Sequence, residues 1–510
     1  MSTTTPPEPV AATPTVSFHH GQDLPPVDPA KVPALIDRMK AILGPDAVLT
    51  HRAELAVYEC DGFTIEKNKP DVVVFPTSSE QVAAVVKACN ELDVPFLARG
   101  AGTSLAGGCV PVGGGVMIAL SRMKRILEVN ARDRYAVVEA GVVNVWLTNH
   151  LKPLGYHYAP DPSSQGACTI GGNVATNSGG PHTLKYGVTV NHVLGVQMVM
   201  PDGTIVQAGG PCEDSPGYDL TGVIVGSEGT FGIVTKAWVR LTRNPEAYRT
   251  LLAVFDTVDD ATNTISDIIG AGIVPAALEM LDDKFIGSVE AAFNLGFPLD
   301  AGALLIMEVD GLAAGIQEEA DRIEGIALKN GAREVRKANT EADRLALWKA
   351  RKSAFGTVGR MGFASYCTQD GVVPRTKLPE IMRHIRAVSE RHRIAIANVF
   401  HAGDGNIHPV LMFDERDPDQ VRRVLLASTE ILEECVRLGG SVTGEHGIGV
   451  EKLDFMAKLF APEDLAYMVR LRTAFNPLNR CSPNKLLPTA GGCVEGNKVA
   501  ATKPGRRAAV

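Results

Sequence analysis

The sequence holds no Cys-x-x-Cys pair, no apolar run long enough to cross a bilayer, and no basic cluster ahead of a short Arg506-Arg507 tail. Each absence excludes a class of protein. Nine scattered cysteines, an odd number, match neither a disulfide framework nor the ligand spacing of an iron–sulfur cluster. They read as reduced thiols in a cytoplasm, so any such cluster would sit on another subunit. Without about 18 consecutive apolar residues a membrane span is not expected. A formal net charge of −8 leaves no electropositive footprint for a phosphate backbone, which argues against nucleic acid as a partner. The first residues also lack the basic start and apolar core of a secretory signal.

What is present is an ordinary globular composition over 510 residues, more than one hydrophobic core usually organises. Two or three domains of a soluble enzyme are expected. Residues 1–30, rich in Thr, Pro and Ala, read as a disordered arm, and 489–510 as a disordered tail. Between them, residues 31–245 form a first domain and 246–443 a second, with 444–488 packing back on the first. An entry helix near 32–43 leads to a buried strand at 71–75. A helix follows, with Thr77 and Glu80 at capping-box spacing and Val82, Val85, Val86, Cys89 and Leu92 at helical intervals. A strand at 94–98 then delivers a glycine-rich loop to its C-terminal edge, where ligands tend to bind in α/β units. Short strands dominate up to about residue 240. Beyond it, strands at 251–255 and 304–309 alternate with helices at 316–329 and 378–392, as in stacked α+β units.

Three segments have the character of a nucleotide cradle. Residues 99–108 (Arg99, Gly100, Ala101, Gly102, Thr103, Ser104, Leu105, Ala106, Gly107, Gly108) offer consecutive backbone N–H groups and little bulk, suited to close approach by a pyrophosphate. The nicotinamide fingerprint is not met, because Leu105 occupies the place of its third glycine. The second segment, 160–180, combines Pro160, Asp161, Ser163, Gly171, Gly172 and Gly179 with the hydrogen-bonding side chains of Thr169, Asn173 and Thr176, and can wrap a flat polar ring. The third, 226–235, adds Glu228, Gly232, Ile233 and Val234 on the way into a strand. Each alone could be a bare turn or an Ω-loop; together they favour a bound dinucleotide.

A different chemistry gathers in the second half. His401 and His408 stand seven residues apart around Gly403 and Gly405, which permit the bend that lets both imidazoles converge, and Glu445 lies beside a third imidazole, His446. Two imidazoles and a carboxylate with open positions suit Zn²⁺, Mn²⁺ or Fe²⁺, so His401, His408 and Glu445 are the expected ligands. Core histidines satisfied by hydrogen bonds are the competing reading. Asp404 is left outside the set, as a cap or a partner orienting a histidine. His446 is the candidate base, since an imidazole can accept a hydroxyl proton near neutral pH. Arg351 is the candidate clamp for a substrate carboxylate, weighed against a helix face that merely solvates its charges.

With these motifs in order (the loop at 99–108, P-D-P-S-S from Pro160, G-S-E-G-T-F-G-I-V-T from Gly226), the chain resembles flavoproteins of the vanillyl-alcohol oxidase and p-cresol methylhydroxylase superfamily. The stretches 348–360, 398–409 and 440–449 are similar to the glycolate oxidase D-subunit family, near the D-lactate and D-2-hydroxyglutarate dehydrogenases. The resemblance implies an α+β fold, with a two-part FAD-binding domain and a substrate (cap) domain of ferredoxin-like units. It implies FAD held non-covalently, because Thr103 stands where covalent relatives carry histidine, and it tips Arg351 toward the clamp. It implies oxidation of a small 2-hydroxyacid, glycolate or D-lactate, to the 2-oxoacid by hydride transfer to the flavin. Electrons would pass to a second FAD-binding subunit and an iron–sulfur subunit, or to a quinone-linked acceptor. That places the protein in the cytoplasm or, through its partners, at the inner face of the membrane. The family's C-terminal N-P-G-K element reads Ser482, Pro483, Asn484, Lys485 here, so only Lys485 keeps its place. The alternatives are a D-2-hydroxyglutarate dehydrogenase-like enzyme, a metal-dependent hydrolase that would leave the three glycine segments idle, and a non-catalytic FAD-binding subunit that would leave the histidines idle.

Overall fold

The computed structural model describes residues 26–212 and 216–488. Of the arm expected to be disordered over 1–30, residues 1–25 lie outside the described residues, as does the tail 489–510; residues 26–30 lead into the first helix, with the Lys31 N–H donating to the Asp28 carbonyl. Near the N-terminus a four-stranded sheet is ordered Val48–Leu49, Val72–Val74, Val116–Ala119, Phe96–Arg99, with its last three strands parallel. Val72, Val73 and Val74 are all fully buried, as a parallel strand covered on both faces should be. The helix Ser79–Leu92 covers one face. Val82, Val85, Val86 and Cys89 recur on its inner side and join the core with Phe96 and Ile118; each buried valine stabilises by roughly 1.5 kcal/mol. The capping expectation was displaced by one residue. Ser78, not Thr77, accepts the Gln81 N–H, while Thr77 donates its own N–H to the Gln81 side chain. Asp93, in the left-handed region at φ 55°, ends the helix.

A five-stranded antiparallel sheet follows, ordered Ile126–Asn130, Tyr135–Glu139, Ile233–Arg240, Val193–Val199, Ile205–Gly209. Its central strand alternates buried and half-buried residues along its whole length, the period of a strand with one face on the core. The helix Ile170–Thr176 packs on the central strand, residues 226–232 lead into that strand, and Gly100 lies against Thr169 and Gly172, which is how three segments distant in sequence meet.

Ala247–Phe255 opens a third, nine-stranded sheet. It pairs in unbroken antiparallel register with Ala303–Gly311, from Ala247 opposite Gly311 to Phe255 opposite Ala303. Both faces are covered. Helices Val258–Gly270, Ile316–Lys329, Leu378–His392 and Pro418–Arg437 bury one face, and Asp283–Phe293 packs against the other. Leu304 to Val309 consequently read as a continuous apolar run broken only by the buried Glu308. Further along the sheet, Ala277–Asp282 pairs with Ala395–His401, setting Glu279 opposite His401.

Residues 476–482 lie beside the first sheet and the third glycine segment. Phe96 bridges Cys481, the Ser482 N–H donates to the Phe96 carbonyl at 2.8 Å, and the Asn476 amide donates to the Thr230 carbonyl at 3.0 Å. Among the described residues, no helix is long and apolar enough to cross a membrane.

Candidate active site

Where the first two sheets and the third approach one another lies a cavity of about 360 Å³. Its inner wall is the three glycine segments: Gly100, Ala101, Gly102, Thr103 and Ser104 from the first, Ser163, Thr169, Gly171, Gly172, Asn173 and Thr176 from the second, and Glu228, Gly232, Ile233 and Val234 from the third. Glycine is required here by space. A Cβ on Gly100 would stand 2.5 Å from the Thr169 hydroxyl, and one on Gly171 would stand 2.7 Å from the Cβ of Ala140. Thr169 holds the second segment by accepting the Gly172 N–H, at the start of the short helix Ile170–Thr176. The hydroxyl of Ser104 is buried without a partner. A bare backbone wall, an orphaned hydroxyl and no bulk are what a dinucleotide requires, so the residues present fit FAD.

Six residues expected at the cofactor do not line the cavity. Arg99 turns away, donating to the Cys60 carbonyl at 2.8 Å and packing over Tyr58. Gly107 packs against Val450, and the Pro160 carbonyl accepts the Asn144 amide. Asp161 is engaged by His182 and Lys352, and Gly179 packs near Thr183 and Glu445. Lys485 is buried, donating to the Val110 carbonyl, and burial pushes its ammonium down to about 8. Glu228 lines the wall while each of its carboxylate oxygens accepts a backbone N–H, from Ile448 and Gly449, at 2.7 Å, so it ties the returning C-terminal segment to the cradle.

The opposite end of the same cavity is lined by His408, Glu445 and His446. His401 ends its strand, the chain reverses through Gly405 at φ 80°, and His408 returns beside it. The Nε2 atoms of His401 and His408 each stand 3.2 Å from one oxygen, Oε1 of Glu445, with the imidazole planes at 89°. The other Glu445 oxygen is buried without a partner. Behind the imidazoles, Nδ1 of His401 donates to Glu279 at 2.8 Å, and Nδ1 of His408 faces the Gln369 carbonyl at 3.4 Å. Each imidazole is thus backed at Nδ1 and presents Nε2, the arrangement a divalent cation requires, so this donor set fits a metal ion. Asp404 stays out of it, accepting the Asn406 N–H within the turn.

His446 stacks on His408, and its Nδ1 is buried with no partner. Burial pushes it down to about 4, which keeps the imidazole uncharged at neutral pH. Arg351 is not on a solvated face. It is fully buried, its Nη2 pairs with Glu279 at 2.5 Å, and its Nε and Nη1 have no partner. Burial opposes ionisation of Glu279, but Arg351 first and His401 second hold that carboxyl below its ordinary range.

Two contributors carried no signal in the sequence. Glu279 sits in an apolar strand, and Asp370 in no motif at all. Yet one Asp370 oxygen accepts from the Thr443 hydroxyl at 2.6 Å and from the backbone N–H groups of Gly444, Glu445 and His446 at 3.0, 3.2 and 2.8 Å. It holds the turn that carries Glu445 and His446.

A glycine-built cradle opening on a histidine–carboxylate cluster defines the class, an FAD-dependent oxidoreductase. Residues 70–209 match the FAD binding domain family, and residues 244–486 match the family described as FAD linked oxidases, C-terminal domain. The fold is that of p-cresol methylhydroxylase with substrate bound, at TM-score 0.77 and 18% identity over 91% of this chain and 98% of the other. A 4-ethylphenol oxidase from Gulosibacter chungangensis has the same fold, at TM-score 0.75 and 19% identity over 91% and 99%. Glycolate oxidase subunit GlcD of Escherichia coli (strain K12) is 43% identical over 442 residues, 87% of this chain and 88% of the relative. The Bacillus subtilis (strain 168) protein of the same name is 38% identical, over 88% of this chain and 96% of the relative. A probable mitochondrial D-lactate dehydrogenase of Danio rerio is 32% identical, over 90% and 92%. The chain belongs to the glycolate oxidase D-subunit family of FAD-linked oxidases.

Proposed function

We propose that this protein oxidises a small 2-hydroxyacid, glycolate or D-lactate, to the corresponding 2-oxoacid. One observation carries the reading: Nε2 of His401 and of His408 converge on Glu445 at the far end of the cavity that the three glycine segments build. Relatives named as glycolate oxidase subunits and D-lactate dehydrogenases support the substrate class.

The chain's own residues divide the work. His446, neutral and lining the cavity, takes the proton from the substrate hydroxyl. Arg351, expected as the carboxylate clamp, lies behind the cavity wall, where its pair with Glu279 and its place beside His401 position that imidazole. His401, His408 and Glu445 would hold a divalent cation (zinc, manganese or iron) that lowers the pKa of the hydroxyl and supports the developing negative charge. The three glycine segments, Thr103 among them, would hold FAD without a covalent bond, and the flavin would supply the hydride acceptor. Phe355 and Tyr366 line the cavity on the side of the third sheet and supply apolar surface around the reacting carbon. The relatives named as subunits support an assembly with partner chains, and the family resemblance implies that a second FAD-binding subunit and an iron–sulfur subunit carry the electrons onward. Through them the protein would work at the inner face of a membrane.

The test is anaerobic titration of the purified yellow protein with a panel of hydroxyacids, with and without chelator. Bleaching of the flavin by glycolate or D-lactate, blocked by chelator, is the expected result. A flavin left oxidised by every member of the panel would remove the reading.

A further inference from the structure

The cation that first meets an anion entering the cavity is not Arg351, which lies behind its wall, but the next residue. Lys352 lines the cavity, with its side chain about a quarter exposed. Among the described residues that line the cavity, it is the one lysine or arginine, facing two carboxylates, Glu228 and Glu445. A substrate anion brought beside Glu445 without a matching cation would be repelled and would lose its hydration uncompensated.

The position of Lys352 is built. Its Nζ donates to Oδ2 of Asp161 at 3.0 Å and lies 5.8 Å from the centre of the Trp348 ring. The same Asp161 oxygen takes Nδ1 of His182 at 2.9 Å, and the His182 ring lies against Trp348 with centroids 5.1 Å apart. His182 faces Glu308 at 3.7 Å, and Glu308 is gripped by Arg344 through two bonds of 2.8 Å and by the Trp348 indole at 2.7 Å. Arg344 also reaches the largely exposed Glu341 at 3.1 Å. Within the buried part of this network the cations His182, Arg344 and Lys352 face two carboxylates, Asp161 and Glu308. Burial works against charge on His182, but Asp161 and Glu308 overcome it and raise the imidazole to about 10, so Asp161 already has its counter-ion. The Lys352 ammonium is the surplus charge, and it is the member of the network that faces the cavity.

We propose that Lys352 is a specificity-determining residue, pairing its ammonium with the substrate carboxylate from the open side of the cavity while Asp161 holds it in place. The inference rests on the 2-hydroxyacid reading above. It assigns Asp161, in the second glycine segment, to Lys352 rather than to the cofactor.

The experiment is stopped-flow reduction of the holoenzyme flavin by glycolate and by glycolamide, its uncharged counterpart. Wild type is compared with Lys352→Met and Lys352→Arg. A charge-assisted hydrogen bond lost from the complex raises the glycolate Kd about 10- to 100-fold in Lys352→Met. The limiting reduction rate and the behaviour toward glycolamide stay near wild type, and Lys352→Arg restores most of the glycolate affinity. An unchanged glycolate Kd, or parallel losses for glycolate and glycolamide, overturns the assignment. Should Lys352→Met fail to retain flavin, Lys352→Gln, which keeps the length and polarity and removes the charge, carries the same comparison. If glycolate or D-lactate bleaches wild type and Lys352→Met alike, the Lys352 assignment alone falls. If no hydroxyacid bleaches wild type, the substrate reading falls first.

Discussion

His408 and His446 lie face to face, ring centroids 4.9 Å apart and planes 5° from parallel. The Nε2 of His408 is turned to Glu445, while Nδ1 of His446 faces Asp370 at 3.9 Å without a hydrogen bond and its Nε2 lies 4.0 Å from Glu445. The stacking fixes the orientation of the base without a hydrogen bond to either ring nitrogen. His446→Ala should therefore retain flavin, since the glycine cradle is untouched, and should reduce it about 10²- to 10⁴-fold more slowly, the usual contribution of a positioned base. Rapid-mixing absorbance at the flavin band measures this. A reduction rate equal to wild type would remove His446 from the chemistry.

The ligand cluster predicts a second separation between binding and chemistry. Replacing His408 by Ala removes one of the two imidazoles that stand 3.2 Å from Glu445 Oε1. Metal content measured by plasma mass spectrometry should fall from near one equivalent to a small fraction, flavin content should hold, and hydroxyacid reduction should be nearly abolished. Wild-type protein stripped by chelator should behave the same way and recover on adding back zinc or manganese. Stripped protein that still reduces its flavin at the original rate would exclude a metal role.

Gly100 tests the cradle itself. An alanine methyl there would come within 2.5 Å of the Thr169 hydroxyl, forcing two wall segments apart. Gly100→Ala should lower the flavin-to-protein ratio of the purified enzyme severalfold, while circular dichroism stays that of a folded chain. Gly270, with no heavy atom near its would-be Cβ, supplies the control substitution.

The His182 network predicts a pH dependence of stability. The folded pKa of His182, about 10, lies above the ordinary value near 6.5 of an unfolded chain. Its stabilisation is thus fully present below about pH 6.5 and is lost as pH rises through about 10. His182→Gln should cost about 3 kcal/mol at pH 6, the scale of a broken buried pair. By pH 10 the difference from wild type, followed by denaturant titration, should have nearly closed. A gap that widens toward high pH would contradict the charged imidazole between Asp161 and Glu308.

Much of this was readable along the chain because the signal was local. The helices at 316–329 and 378–392 stand where their apolar spacing puts them, since a 3.6-residue period needs no distant partner to be recognised. The glycine segments announced a close-approaching ligand, and the two histidine clusters announced each other by chemistry. The capping residue missed by one position, because Ser78 and Thr77 are both good caps and only the backbone angle chooses between them. Lys352 was a larger miss. It shares a helix with Arg344, Lys349 and Arg351, and four cations on one short helix have the pattern of a solvated face.

From the amino-acid sequence alone came the class of chemistry: a glycine-lined cradle for a dinucleotide, and imidazoles with a carboxylate for an ion. Each needs particular residue types at short spacing, and short spacing survives in a linear text. Which charges are buried, and which face the cavity, was decided only by the tertiary structure. Glu279 reaches His401 across 122 positions, and Lys352 meets Asp161 across 191. Burial and charge balance are set by segments that meet only when the sheets close on one another.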